Sequence, residues 1–149
     1  MTPARAHILH APWLLAILWS FTRATPWLPV MRSKRSDLGL MLKVISRGWV
    51  CIARDARGPA GFIARDGARI HALYVHPRAR RQGLARALLD DAKTRSPRLE
   101  LWVLEANSPA RAFYARQGFD VAGRSDGAGN DENMPDIHMV WQSRERPDP

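Results

Sequence analysis

The sequence predicts an α+β fold, with a mixed but mostly antiparallel sheet and helices on both faces. Apolar runs on either side of the Asp66-Gly67 turn are typical of an antiparallel hairpin. The second of these runs ends at Val75 and is followed by a helical pattern and a further apolar run at 99–103. That order is typical of a strand–helix–strand crossover between parallel strands. A sheet of this kind is normally covered by helices.

Two segments with helical periodicity precede the sheet. The first, at 13–21, is followed by a proline-rich loop at 25–29, and the second begins at Ser36 or Asp37. The apolar stretch 11–21 is shorter than the roughly 20 residues that cross a bilayer. Because no small-residue cleavage pattern follows it, a buried amphipathic helix is expected rather than a signal or membrane segment.

The remaining elements follow from apolar alternation and turn residues. Strands are predicted at 49–53, 60–64, 69–75, 99–103, 118–122 and 137–141, and helices at 84–94 and about 107–117. Residues 1–10 form either a frayed lead or a degraded first strand, and the polar tail 143–149 is expected to be disordered. Residues 1–149 are expected to form one domain with its own core.

The charge balance limits the classes of partner. Lys and Arg number 23 against 14 Asp and Glu, a formal charge of +9, which favours anionic partners such as a phosphorylated cofactor. No basic run with interleaved aromatic residues supports nucleic-acid binding. The single cysteine, Cys51, excludes an internal disulfide framework and makes a cytoplasmic location the default. The acidic loop 126–133 lacks the ligand spacing of a calcium loop, so no metal is expected.

The turn before the helix at 84–94 carries the strongest functional signal. A strand stops at Pro77, arginines follow, and the helix begins just after Gly83. The first N–H groups of a helix lack intrahelical partners and lie at the positive end of its dipole. Because Gly83 and Ala85 are small, an anion can approach this backbone closely. By these residues alone a solvated basic turn is the more common case, and a phosphate site is the alternative that the rest of the chain has to support.

Two motifs stand in order along the chain. The first reads Leu73-Tyr74-Val75-His76-Pro77, followed by Arg80-x-x-Gly83-x-Ala85, and the second reads Asn107-x-x-Ala110-x-x-x-Tyr114-x-x-x-Gly118-Phe119. Together they resemble the motifs of the GNAT superfamily, the acyl-CoA-dependent N-acyltransferases. The resemblance covers residues 49–141 and implies a central pair of parallel strands, 69–75 and 99–103, that splay apart.

The resemblance implies that acetyl-CoA, or a close relative, is the acyl donor. Its pantetheine would pair with the strand backbone near Leu73 and Val75, where an N–H would stabilise the oxyanion. The backbone at 80–85 would hold the pyrophosphate, and arginine side chains would add charge-assisted bonds. The cofactor-binding residues implied are Leu73, Tyr74, Val75, Arg80, Arg81, Gln82, Gly83, Leu84, Ala85, Asn107, Ala110, Phe113 and Tyr114. Arg78 and Arg86 are equally well explained as solvated side chains.

By the same resemblance, Tyr114 would protonate the leaving CoA thiolate, and an unperturbed tyrosine carries the required proton at neutral pH. The alternative for Tyr114 is a half-buried core aromatic. The carboxylate that many family members carry just before position 73 is absent, since His71 and Ala72 stand there. His71 and Glu105 are the candidates for the general base, beside a water relay. A purely structural histidine is the alternative for His71.

The predicted function is transfer of the acetyl group of acetyl-CoA to a primary amine by direct attack in a ternary complex. The amine belongs to a small molecule, a protein or a peptide, and Asp136 is a candidate contact for it. The alternative is a catalytically degenerate domain that binds acyl-CoA or an acidic partner, which the absent carboxylate and the poorly matched first strand favour. Neither nucleic acid nor a membrane is an expected partner, and homodimer formation is left open.

Overall fold

The computed structural model describes residues 3–25, 34–128 and 134–143. Its helices are α1 (Ala11–Ala24), α2 (Lys34–Ser46), α3 (Leu84–Arg95) and α4 (Ser108–Arg116). Its strands are β1 (Ala4–Arg5), β2 (Val50–Asp55), β3 (Gly58–Asp66), β4 (Arg69–Val75), β5 (Arg98–Leu104), β6 (Asp120–Ser125) and β7 (Asp136–Gln142). The predicted loop at 26–29, most of the acidic loop beyond 128, and the tail at 144–149 lie outside the described residues.

The strands form a seven-stranded sheet in the order β1-β2-β3-β4-β5-β7-β6. Neighbours are antiparallel except for β4 and β5, which are parallel and pair at Arg69 opposite Glu100. By contrast, β5 pairs with β7 along its whole length, from Arg98 opposite Gln142 to Leu104 opposite Asp136. The predicted fold class, including a central parallel pair that diverges, is therefore confirmed.

The beginning of the chain contributes a very short edge strand. Ala4 and Arg5 pair antiparallel with Ile52 and Cys51 of β2. The strand ends where His7 starts a turn of 3-10 helix, because its imidazole accepts a hydrogen bond from the Leu9 N–H at 3.1 Å. Of the two alternatives for residues 1–10, the structure shows the degraded first strand.

Each face of the sheet has its own core. On one face, α3 buries Leu84, Leu88, Leu89 and Ala92, which recur at the helical spacing that the sequence predicted, and Tyr114 of α4 joins them. On the other face, α1 and α2 cover β2, β3 and β4. The side chains buried there are Leu14, Leu15, Ile17, Met41, Ile45, Val50, Ile52 and Phe62, with the small residues Ala6, Ala11 and Ala64. Helices on both faces are thus confirmed.

Within 3–25, 34–128 and 134–143, no helix combines the length and the apolar character that spanning a bilayer requires.

Gly118 ends α4 in a backbone conformation that disfavours side chains. Its φ is +93°, and an added Cβ would lie 3.3 Å from Cδ1 of Trp141. Since an L-residue in the left-handed region costs roughly 1–2 kcal/mol, we expect Gly118→Ala to lower the free energy of unfolding by that amount. Gly39 is the matched control, because it lies inside α2 with open space around its added Cβ.

The control should move in the other direction. Replacing a helix-interior glycine with alanine stabilises by roughly 0.5–1 kcal/mol, so Gly39→Ala should unfold at higher denaturant concentration than the wild type. Equilibrium unfolding in urea measures both variants. A Gly118→Ala protein as stable as the Gly39→Ala protein would contradict this account of the α4 terminus.

Candidate functional site

The turn between β4 and α3, residues 76–83, is positively charged, and its second half is exposed and left-handed at two positions. Arg80, Arg81 and Gln82 are exposed. Arg81 has a φ of +65° and Gly83 a φ of +77°. A non-glycine residue at positive φ is strained and is often found at a functional site. A Cβ added to Gly83 would meet nothing within 4 Å, so the backbone here borders open space.

Gly83 is also the N-cap residue of α3, a helix of 12 residues. Within the described residues, no side chain caps its first N–H groups. Those donors therefore face the open space beside Gly83, together with the positive end of the helix dipole. The geometry has the properties of an anion site of the phosphate-binding kind.

Arg78 holds the turn in place. Its guanidinium donates to Asp55 Oδ2 at 3.0 Å and to the Pro59 carbonyl at 3.0 Å, which ties the turn to the β2–β3 hairpin. The hydrogen bond from Arg78, more than any other cause, lowers the pKa of Asp55. His76 caps the same turn, since its Nδ1 accepts from the Arg78 N–H at 3.1 Å. Arg86 lies in an exposed pair with Asp90 at 3.6 Å.

The last residues of β4 border a cleft. Because β4 and β5 pair in parallel at Arg69 and Glu100 alone within the described chain, the edge of β4 that faces β5 is open at residues 73–75. We call this segment the open end of β4. Leu73 and Val75 pack against the α3 and α4 core. Tyr74 lies on the opposite face, where the centroid of its ring is 4.9 Å from that of Phe21.

Tyr114 lies on α4 among aromatic side chains. Its ring centroid is 5.5 Å from that of Phe119 and 5.4 Å from that of Phe113. It is only 8% exposed, so it is more deeply buried than the half-buried aromatic that the sequence allowed. Burial, with a smaller contribution from Tyr74, raises the pKa of its phenol well above the usual range. The hydroxyl therefore keeps its proton at neutral pH, as a proton donor must.

Asn107 and Ala110 form the start of α4. The Asn107 side-chain oxygen accepts a hydrogen bond from the Ala110 N–H at 3.3 Å, so Asn107 is the N-cap of the helix. This places the cap about two turns before Tyr114 and beside the end of β5.

The two predicted base candidates lie apart from each other. His71 is near the start of β4, where a register shift against β3 leaves it between paired neighbours, and its ring stacks on Trp49 at 5.4 Å. Burial and the nearby Arg69 charge lower its pKa, so its imidazole is neutral at neutral pH. Glu105 follows β5 at the opposite end of the cleft and pairs with Arg124 at 3.2 Å. Its N–H donates to the Pro135 carbonyl at 2.9 Å.

The sequence did not predict that Trp102 and His138 pack together on the face of the sheet that points away from α3. Trp102 of β5 lies directly opposite His138 of β7. Their rings stack with centroids 4.9 Å apart and planes within 16° of parallel. The alternation of β5 offered a signal, because the buried Leu101 and Val103 on either side place Trp102 on the face away from α3.

The chain is similar to known acetyltransferases in both sequence and structure. The family model described as "Acetyltransferase (GNAT) domain" matches residues 46–121, just over half of the chain. The peptidyl-lysine N-acetyltransferase YjaB of Salmonella typhimurium is 33% identical over 93 residues, 62% of this chain and 63% of that protein. The 5-NmdU N-acetyltransferase of Pseudomonas phage PaMx11 is 40% identical over 83 residues, 54% of each chain. The chain thus spans between about half and two thirds of these curated relatives.

Solved structures cover almost the whole chain. The solution structure of apo YjaB from Escherichia coli has a TM-score of 0.77 at 25% identity, over 96% of this chain and 99% of that chain. PaiA N-acetyltransferase from Thermoplasma acidophilum, in complex with coenzyme A, has a TM-score of 0.66 at 20% identity, over 94% and 97%. The second likeness is one of fold.

Proposed function

We propose that this chain, which belongs to the GNAT acetyltransferase family, transfers the acetyl group of acetyl-CoA to a primary amine. The resemblance indicated by the two sequence motifs is thereby confirmed at the level of the family. The observation that carries the proposed activity is the open end of β4 beside the basic turn, residues 76–83. There the open edge of β4 continues into the start of α3. An extended ligand such as acetyl-CoA needs both, a strand edge for its pantetheine and a helix start for its phosphates.

Acetyl-CoA would lie along this surface from the basic turn to the cleft. The N–H groups at the start of α3 would bind its pyrophosphate, with Arg80 and Arg81 supplying charge-assisted bonds. The open space beside Gly83 fits this ligand, since a phosphate needs close backbone approach. Pantetheine would pair with the open end of β4. The N-cap Asn107 and Phe113 of α4 would line its other side.

The acetyl group would pass directly from sulfur to nitrogen in a ternary complex. The amine nitrogen attacks the thioester carbon, forming the C–N bond as the carbonyl electrons move to oxygen, where a backbone N–H of β4 stabilises the charge. The oxyanion electrons then re-form the carbonyl as the C–S bond breaks, and Tyr114 gives its proton to the departing CoA thiolate. The amine nitrogen loses its own proton to a base, and solvent restores the proton of Tyr114.

Two further parts of the proposed reaction are the base that deprotonates the amine and the acceptor that carries the amine. Glu105 is the better placed candidate for the base, because it follows β5 at the cleft end, whereas His71 is stacked on Trp49 near the start of β4. A water molecule bound between Glu105 and the amine would serve equally. Since relatives are named peptidyl-lysine N-acetyltransferases, we propose a lysine side chain of a cytoplasmic protein or peptide as acceptor, with a small-molecule amine as the second choice.

Calorimetry and mass spectrometry test the proposal together. We expect CoA to bind, and incubation with acetyl-CoA and a panel of lysine peptides and small amines to give an acetylated product. The high positive charge of the chain also binds anions unspecifically, so ATP at the same concentration is the control ligand. CoA binding with no acetylated amine would instead support a non-catalytic acyl-CoA-binding domain. Absence of CoA binding at millimolar concentration would refute both.

A further inference from the structure

The face of β5 and β7 that points away from α3 carries polar and aromatic side chains. Leu99, Leu101 and Val103 of β5 are buried against α3 and α4, as are Ile137 and Met139 of β7. Because side chains alternate along a strand, the intervening residues lie on the other face. We call this set the outer face: Glu100, Trp102, Leu104, Asp136 and His138.

In the described part of the chain, α1 packs on β3 and β4, and the outer face lies beyond them. Trp102 consequently remains 44% exposed although it stacks on His138. A large aromatic side chain held rigidly at a partly open position is typical of a binding surface, since it offers contact area at little cost in conformational entropy.

Two atoms of the outer face are enclosed but lack hydrogen-bond partners among the described residues. They are Oδ1 of Asp136 and Nε2 of His138. The His138 nitrogen lies 3.7 Å from Glu100 Oε1, beyond hydrogen-bond distance. Enclosed polar groups are nearly always hydrogen-bonded in native proteins, and an exception needs an explanation such as a ligand. A hydrogen-bond donor of a ligand on the outer face would give Oδ1 of Asp136 the partner that it lacks.

The outer face also adjoins the cleft. Asp136 is paired across the sheet with Leu104, the last residue of β5, and β5 forms one wall of the cleft. Tyr114 lies on the opposite face with α3 and α4. An amine bound beside Asp136 would therefore reach the thioester from one side of the sheet, while the thiol would leave towards Tyr114 on the other.

The charges nearby favour a cation at Asp136 rather than at Glu100. Glu100 already accepts a hydrogen bond from Arg98, and the charges of Arg98, His138 and Arg69 act with it to lower its pKa. In the described residues Asp136 has no ion pair, and its Oδ1 is without a partner. An ammonium group with an aliphatic stem would give Asp136 its missing donor and place its methylene groups against the Trp102 ring.

We propose that the outer face binds the acceptor, with Asp136 accepting hydrogen bonds from its amine and Trp102 packing along an aliphatic stem of the lysine kind. This assignment rests on the proposed N-acetyltransferase function and names the residues that select the acceptor. His138 is a positioning residue, because its ring holds the Trp102 indole in place. Substitutions in the outer face should therefore change KM for the amine and leave acetyl-CoA binding unchanged.

The test compares steady-state kinetics of wild type, Asp136→Asn and Trp102→Ala with a lysine peptide as acceptor. We expect KM for the peptide to rise about tenfold in Asp136→Asn, as a charge-assisted bond is lost, and about fivefold in Trp102→Ala. With ethylamine, which has almost no stem, Asp136→Asn should show the same rise and Trp102→Ala a smaller one. KM for acetyl-CoA and the calorimetric affinity for CoA should stay at the wild-type values.

Trp13→Ala is the matched control, because Trp13 of α1 is 46% exposed and lies outside the outer face. Its peptide KM should equal that of the wild type. If the wild type is active and both outer-face variants keep the wild-type peptide KM, the acceptor assignment is overturned and the proposed function stands. If the wild type releases no thiol with any amine, both fall. A parallel loss of CoA affinity in Asp136→Asn would also overturn the assignment, since it would indicate damage to the cleft.

Discussion

Tyr114→Phe is expected to lower kcat about 100-fold, the lower end of the range for loss of a general acid. The substitution keeps the ring, so its packing against Phe113 and Phe119 is preserved. What is lost is the proton that the leaving sulfur takes up. Because burial raises the pKa of Tyr114, the wild-type donor stays protonated as the pH rises. Its deprotonation should limit kcat only above the usual tyrosine range near 10.

The measurement is the rate of thiol release at saturating acetyl-CoA and amine, with calorimetry to show that the variant binds CoA as the wild type does. Poorer leaving thiols need the acid more than better ones, so a thioester of a more acidic thiol should recover part of the lost rate. Wild-type kcat in Tyr114→Phe, under conditions where the chemical step limits the rate, would show that Tyr114 is a core aromatic only.

Gly83→Val is expected to weaken CoA binding by a factor of about 30 or more, which corresponds to about 2 kcal/mol. Two effects act together. A β-branched residue is strained at the φ of +77° observed for Gly83. In addition, the new side chain would occupy the open space beside the first N–H groups of α3, where the pyrophosphate is proposed to lie.

Gly67→Val separates these effects. Gly67 turns the β3–β4 hairpin with a φ of +58°, and an added Cβ there also meets nothing within 4 Å. The control therefore has comparable backbone strain at a position outside the proposed site. We expect both variants to lose stability to a similar degree, and only Gly83→Val to lose affinity for CoA in calorimetry. Equal CoA affinity in the two variants would argue against the pyrophosphate assignment.

Local signals in the sequence were sufficient for most of the fold. The Asp66-Gly67 turn and the alternating runs beside it predicted the hairpin, and the leucines of α3 predicted its buried stripe, because these features depend on neighbours within a few residues. The boundaries differ by a few residues at most. The short strand at Ala4 and Arg5 was less predictable, since two residues are too few for alternation to be seen.

Features that depend on distant pairing were not predictable. The stack of Trp102 on His138 requires the register between β5 and β7, which are separated in sequence by α4 and β6. The register shift beside His71 arises from the pairing of β3 with β4 and changes the neighbours of the imidazole. The positive φ of Arg81 also has no sequence signal, because glycine is the residue expected in that conformation.

The roles assigned to individual residues depend on the acyl-CoA resemblance and remain proposals. The structure joins the basic turn to the open end of β4 and makes Asn107 the N-cap of α4, while the assignment of these residues and Tyr114 to one acyl-CoA cleft stays a prediction. The structure leaves His71 and Glu105 at opposite ends of that cleft. It adds the stack of Trp102 on His138, on the same face of the sheet as Asp136, the amine contact that the sequence had suggested.

Initial rates of thiol release, measured over a matrix of acetyl-CoA and lysine-peptide concentrations, test direct acetyl transfer in a ternary complex most directly. Direct transfer predicts that the rate of thiol release depends on the concentrations of both substrates and that the double-reciprocal lines intersect. The reason is that both substrates must be bound before the C–N bond forms. Parallel lines would indicate an acetylated enzyme intermediate and contradict direct transfer. Release that is independent of every amine tested would contradict the N-acetyltransferase activity itself.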